Sequence, residues 1–426
     1  MKPRISNILM ITPLYPSPDT EKGATPIVHY FTREWVLSGR RVLVINLPTQ
    51  FPNIYYYAVN TLGLKSLADS CLGMVAQTIS PKKRDYLYEG VEVHQIPIKK
   101  IIPHSTISGS RLDKLCLEIV SICTARNFVP DVIIGHWLVP SLPIVCNLSE
   151  RLQCPGGVVF HDSGEYLMRS SSSESDFRSM VRGLSFLCFR SKAIRDRFQS
   201  FFGEVDNAFY AYSGVPSSMI PTNPKQRSFD HIQNFIFVGT MIHRKYPLEV
   251  LKALEQSNIT DYDLTYVGEG RLRKTIRNYC ESNRLKGDVH DLGRIPRSEV
   301  AHRLESADVF VMISKAETFG LVYLEAMAAG CITIASKNEG FDGIIRHGYN
   351  GFLCPAGDVV SLSMLINKIQ RMKPEDLLTI SENARRTATE MTDEKVAEHY
   401  LRSIEDILDS STNEQKISKQ EAWGRC

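Results

Sequence analysis

The chain has 426 residues, 43% of them hydrophobic and 23% charged, and a formal net charge of +3. That length supplies two domains with separate cores, and so even a charge balance excludes a nucleic-acid binder built on a basic face. No apolar run of about 18 residues occurs, and MKPRISNILMITPLYP lacks the apolar core and small-residue cleavage site of a secretion signal, so neither a membrane span nor export is predicted. The ten cysteines are scattered without a C-x-x-C pair or a His-rich cluster. Neither a zinc site nor a disulfide framework is expected, and a reducing cytoplasm fits.

Residues 5–12, ISNILMIT, read as a buried parallel strand, followed by the loop PLYPSPDTEKGATP with Gly23. A helix from Pro26 to Gly39 and the strand RRVLVINL complete a βαβ unit, which predicts a parallel sheet. The absence of G-x-G-x-x-G argues against a nicotinamide or flavin dehydrogenase. From Phe51 to Ser105 an aromatic, apolar stretch with the run Tyr55-Tyr56-Tyr57 leads into Lys82-Lys83-Arg84 and Lys99-Lys100. Such a segment suits the surface of an anionic membrane, and equally an ordinary helix–loop–strand excursion with solvated lysines.

DVIIGHW (131–137) and GGVVFHDSGEY (156–166) read as strands carrying His136, His161 and Asp162 at their carboxyl ends, where open α/β sheets gather ligands. A structural histidine, satisfied by its neighbours, is the other reading for both. The serines 170–173 read as a mobile loop that orders with substrate, and PTNPKQRSF (221–229) as an interdomain linker.

NFIFVGTMIHRKYPLEVLKAL opens the second half as strand, loop and helix, with Gly239 closing the strand and Arg244-Lys245 in the loop beside the helix start at Pro247. Two cations and a helix N-terminus then converge on one volume, unless both are merely solvated. DLTYVGEG repeats the strand-to-glycine layout at Gly268. The run VFVMI (309–313) is a further buried strand, and SKAETFGLVYLEAMAAG carries it through a loop into a helix ending at Gly330. Thr318 is expected to cap that helix, Gly320 to let backbone approach a ligand, and the N–H groups of Phe319, Gly320 and Leu321 to face an anion. Glu317 lies in the loop; Glu325, among apolar neighbours, should have a partner, and a ribose diol would suit it. CITIAS is another strand, Gly357-Asp358 starts a helix, and a last helix over 393–408 carries a stripe at Val396, Ala397, Tyr400, Leu401, Ile404, Ile407 and Leu408. The polar residues from Asp409 to Cys426 read as a disordered tail.

Glu317, seven residues and Glu325 together resemble the signature of retaining GT-B glycosyltransferases, family 4 or group 1, of the kind that build bacterial polysaccharides and glycolipids. The triplet FHD at 160–162, Lys245 after its strand, and LGRIPRSEV at 292–300 are similar to the same family. The resemblance implies an α/β protein of GT-B fold, with two Rossmann-like doubly wound parallel-sheet domains and the active site in the cleft between them. It implies an acceptor domain over 1–218, a nucleotide-sugar domain over 219–392, a helix over 393–410 returning to the first domain, and a polar tail over 411–426. Glu317, Lys245, Arg244 and His161 would serve the reaction, while Glu325, Phe319, Gly320, Leu321, Gly239, Gly268 and Gly23 would bind the donor. That donor would be a UDP- or GDP-linked sugar, with no metal or further cofactor, because protein cations neutralise the diphosphate. The acceptor would be a saccharide or glycolipid at the inner face of the cytoplasmic membrane.

Departures from the pattern are Thr240 where an arginine is usual, with Arg244 as substitute, Ser213-Gly214-Val215 for Asn-Gly-Val, Gly23-Ala24 for two glycines, and Asp342 as the acid nearest Gly343 where a glutamate is common. A non-catalytic GT-B partner subunit stays open as an alternative, as does a phosphorylase or epimerase on the same scaffold.

Overall fold

The computed structural model describes residues 5–18, 26–62, 64, 77–100, 107–165, 167, 174–221 and 227–423, with side chains as far as residue 410. Gly23, the serines 170–173 and most of the expected linker lie outside the described residues. The chain divides into two compact units, one of Met1–Phe189, Phe198–Ala211 and Ala397–Cys426, the other of Arg190–Arg197 and Tyr212–Val396.

The first unit holds β1 (Asn7–Thr12), β2 (Arg41–Asn46), β3 (Thr49–Gln50), β4 (Arg84–Tyr88), β5 (Val91–Gln95), β6 (Ile98–Lys99), β7 (Val132–His136), β8 (Gly156–Phe160), β9 (Phe186–Phe189) and β10 (Ala208–Tyr210). Eight of them form one sheet in the order β10-β9-β8-β7-β1-β2-β5-β4, and β3 pairs with β6. Apart from the antiparallel pair β4–β5, the pairings are parallel. Strands such as NILMIT and VIIGH are apolar on both faces because helices cover both sides of such a sheet. The Ile27–Leu37 helix turns Val28, Phe31 and Trp35 inward, and Trp35 donates its indole N–H to the Ala397 carbonyl at 2.8 Å. Tyr400 meets Phe31 and Trp35 edge-on at 5.2 and 5.3 Å, so the apolar stripe of the last helix packs on this unit. That helix runs over Asp393–Trp423, well past the stop expected near Leu408, since residues 409–423 contain no Gly or Pro to end it.

The second unit is a wholly parallel sheet of β11 (Asn234–Val238), β12 (Asp263–Val267), β13 (Asp288–Asp291), β14 (Val309–Val311), β15 (Ile332–Ser336) and β16 (Phe352–Cys354). Its order, β13-β12-β11-β14-β15-β16, means that the chain builds outward from β11, then crosses back and builds the other way from β14. β11 and β14 are therefore the neighbours between which the winding reverses, and such a switch point is where an open α/β sheet has its ligand crevice, beyond the carboxyl ends of the strands. The first unit reverses in the same way between β1 and β7.

The loops over the second sheet meet backbone to backbone. Gly268 has φ 136°, donates its N–H to the Gly293 carbonyl at 2.7 Å, and lies so near β11 that a Cβ on it would stand 2.1 Å from the Gly239 carbonyl oxygen. Gly268→Ala should destabilise the second unit by about 1–3 kcal/mol, combining backbone strain with that clash. A urea-unfolding midpoint equal to that of the parent chain would contradict this close approach.

Candidate active site

After β11 the chain makes one 3-10 turn, His243–Lys245, and Tyr246, at φ 51°, swings it into the Pro247–Gln256 helix. After β14 the loop bends at Ala316, φ 54°, before the Leu321–Ala329 helix. A backbone bond from Lys315 N–H to the Arg244 carbonyl, 2.6 Å, ties the two loops together. Their side chains then converge: Lys245 Nζ lies 3.4 Å and Arg244 Nη1 3.6 Å from the same oxygen, Glu317 Oε2. Lys245 and Glu317 have side chains only 14% and 12% exposed, whereas Arg244 is 45% exposed at the mouth. The structure thus brings together Arg244, Lys245 and Glu317 at the reversal point of the sheet.

Beneath them, Ser314 Oγ donates to Glu317 Oε2 at 3.4 Å and stands 3.1 Å from the Tyr323 hydroxyl, which donates to the Met312 carbonyl at 2.7 Å. Burial, then the nearby Glu317 charge, pushes the Tyr323 phenol above its ordinary range and keeps it a proton donor. The Glu317 N–H donates to Glu339 Oε2 at 3.2 Å, and Glu339 Oε1 pairs with Arg197 at 3.1 Å. Gly340 backs the same loop, for a Cβ there would come within 2.5 Å of the Glu317 carbonyl oxygen. The acid at this site is thus Glu339 and not Asp342, whose carboxylate instead takes the Asn338 N–H at 2.6 Å and closes its own turn. Its signal in the sequence was slight, a Glu-Gly pair just beyond the strand CITIAS.

Gly320, at φ 86°, stands at the N-cap position of the Leu321–Ala329 helix, the position expected of Thr318. A left-handed residue there turns the chain directly into the helix, leaving the amides of Phe319, Gly320 and Leu321 at its electropositive end. Phe319 contributes to that helix end through its backbone alone. Its ring is 2% exposed, packed between Tyr212 and Phe341 with the buried Arg190 guanidinium 5.4 Å above it. Arg190 in turn donates to Ser213, the serine that departs from the family pattern. Gly239 and Gly268 pack against one another and so shape the crevice floor. Glu325 is 8% exposed and does have a partner within the chain: Arg297 Nε and Nη2 both reach its Oε1, at 2.9 and 2.5 Å. Sequence reasoning missed Arg297, although it stands inside LGRIPRSEV.

In the first unit His136 ends β7 and His161 follows β8. His136 Nδ1 lies 3.1 Å from His161 Nε2, and the Trp137 ring stacks on His161 at 4.0 Å and 11°. Asp162 accepts the Gly164 N–H at 2.7 Å, and burial raises its carboxyl above the usual carboxylate range. Among the described residues no group of three or more His, Cys, Asp or Glu could hold a metal ion, and no helix is long and apolar enough to cross a membrane.

Residues 221–387 match the family model "Glycosyl transferases group 1", a span holding each of the second-unit candidates from Gly239 to Glu325. An uncharacterized glycosyltransferase of Methanocaldococcus jannaschii is 24% identical over 373 residues, 86% of this chain and 100% of that protein. The N-acetyl-alpha-D-glucosaminyl L-malate synthase of Bacillus anthracis is 32% identical over 187 residues, 43% of this chain and 46% of its own, so the match spans less than half of that relative. HepE of Anabaena, crystallised in complex with UDP, is similar in structure with a TM-score of 0.65 at 17% identity, over 94% of this chain and 100% of that one. The chain has the GT-B fold, and its residues 221–387 match the glycosyl transferases group 1 model.

Proposed function

We propose that the chain is a retaining glycosyltransferase that moves a sugar from a nucleotide-diphosphate donor to a saccharide or lipid-linked acceptor in cell-surface polysaccharide synthesis. The observation that carries this reading is the convergence of Lys245 and Arg244 on the Glu317 carboxylate, in the reversal crevice of the second sheet. The start of the Leu321–Ala329 helix belongs to the same loop and adds amide donors for an anion. A diphosphate meets two cations and these amides there, while the Glu317 carboxylate is left to accept from sugar hydroxyls. Breaking the bond from the sugar's anomeric carbon to the phosphate oxygen places new charge on the leaving diphosphate. Lys245 and Arg244 answer that charge and so bind the transition state more tightly than the bound donor. A UDP-linked sugar is favoured as donor because HepE, of like fold, was crystallised with UDP.

The acceptor is proposed to lie at an anionic membrane surface. The Asn53–Thr61 helix and its C-terminal flank expose Ile54, Tyr57 and Leu62 while Tyr56 is buried, and Lys82, Lys83 and Lys99 are exposed nearby in sequence. Lys100 does not join them, being buried, with its amine held below the usual lysine range by desolvation.

Lys245→Ala should lower turnover roughly 10²-fold with a smaller loss of donor affinity, as when one preorganised electrostatic contact is deleted. Arg244→Ala should act in the same direction. Single-turnover rates and donor affinities measured on both folded variants check this, and unchanged rates with lost affinity would reduce the cations to anchors. From an α-linked donor the product should be α-linked, as read from the anomeric NMR coupling constant; a β-linked product would overturn the retaining assignment. The protein should co-sediment with anionic vesicles in a salt-sensitive way, each exposed lysine near the surface contributing about 1 kcal/mol. Equal recovery with neutral and anionic vesicles would remove the membrane from the proposal.

A further inference from the structure

The Leu321–Ala329 helix is buried from Tyr323 through Ala329, and Glu325 is the one charged residue within it. A carboxylate in such a place needs compensation, and Arg297, the first residue of the Arg297–Ser306 helix, supplies it. The geometry of that contact is particular. An arginine facing a carboxylate usually spreads its two parallel N–H groups over both oxygens. Here Nε and Nη2 both end on Oε1, at 2.9 and 2.5 Å.

Two donors from one rigid guanidinium edge fix both the position of Oε1 and the rotation of the carboxylate about its last bond. The second oxygen, Oε2, is then held in one orientation and keeps its lone pairs for another donor. Arg297 itself is 39% exposed, so the pair stands at the edge of the core, within reach of a ligand over the sheet. A pair serving only to join the two helices would gain by engaging both oxygens.

We propose that Arg297 is a positioning residue for the donor's ribose: by holding Oε1 it aims Glu325 Oε2 at the vicinal hydroxyls and makes the site select ribose over a sugar lacking them. This rests on the reading, given above, that the site takes a nucleotide-diphosphate sugar, and on Glu325 as the ribose group. Arginine is required because a lysine ammonium is a point charge that neutralises the carboxylate without fixing its rotation.

The test is calorimetric affinity for UDP and for 2′,3′-dideoxy-UDP, with the GDP pair in parallel, on the full chain and on Arg297→Gln, Arg297→Lys and Glu325→Ala, each checked by thermal unfolding. The parent chain should prefer the ribose form by about tenfold or more, the scale of a hydrogen bond to a charged group. Arg297→Gln should reduce the preference to about threefold or less, by weakening the ribose form while leaving the dideoxy form nearly unchanged, and Arg297→Lys should fall between. Arg297→Gln that keeps the whole preference, or weakens both nucleotides equally, overturns the proposal and leaves Arg297 a structural tie. If Glu325→Ala abolishes the preference while Arg297→Gln keeps it, the ribose role of Glu325 stands and only that of Arg297 falls. A folded parent chain that binds the nucleotides without preference overturns both roles, and one that binds neither base overturns the donor reading as well.

Discussion

The diphosphate site proposed for the second unit depends on one carboxylate shared by two cations, Glu317 between Lys245 and Arg244. Glu317 and Lys245 are each largely withdrawn from water, and an ammonium or a carboxylate so placed is costly unless the other is at hand. The pair therefore constrains the backbone: the loops after β11 and β14 must lie close enough for a contact of 3.4 Å. Small residues make this feasible, with Gly268 seated on the Gly239 carbonyl and Gly340 against the back of the Glu317 loop. The reversal of the sheet between β11 and β14 supplies the space, and the bond from Lys315 to Arg244 sets the spacing. A crevice, two cations and a helix start follow from that packing.

The same contact shapes the chemistry. With Glu317 as counter-ion the cations are held in place, so the proposed diphosphate would find its donors already oriented and spend little on ordering them. It would compete for Lys245 and Arg244 with a carboxylate that stays at hand, because Glu317 is anchored through its own N–H to Glu339 and through Oε2 to Ser314. Arg244 is the more exposed of the two cations and on the proposed reading would be the one to follow a departing group outward.

Much of this was legible in the sequence, for physical reasons. Buried parallel strands are short apolar runs, so NILMIT, VIIGH, NFIFV and ITIAS announce themselves, and the strand–loop–helix rhythm implies a parallel sheet with sites at the carboxyl ends. Arg244 and Lys245 could be named because they stand in such a loop beside a helix start, and Glu317 because its spacing from Glu325 resembles a family signature. What escaped were contacts between residues far apart in sequence. Arg297 and Glu325 are separated by 28 positions, and nothing in either local pattern announces the pairing. Glu339 was passed over for Asp342 because spacing alone cannot tell which of two acids in a glycine-rich turn points inward. Thr318 was favoured as a cap on side-chain chemistry, but Gly320 could adopt the left-handed conformation that the turn demands. The Phe319 ring is buried and Gly268 sits against the Gly239 carbonyl, so each also sets the backbone around the site, a packing role that no local pattern announces.

A crystal structure of the chain with UDP bound tests the central claim most directly. The account predicts β-phosphate oxygens within hydrogen-bond reach, about 3 Å, of Lys245 Nζ, the Arg244 guanidinium and the amides at the start of the Leu321–Ala329 helix, with the ribose hydroxyls on Glu325. Density for the nucleotide at another place, with the Lys245–Glu317–Arg244 cluster untouched, would contradict it.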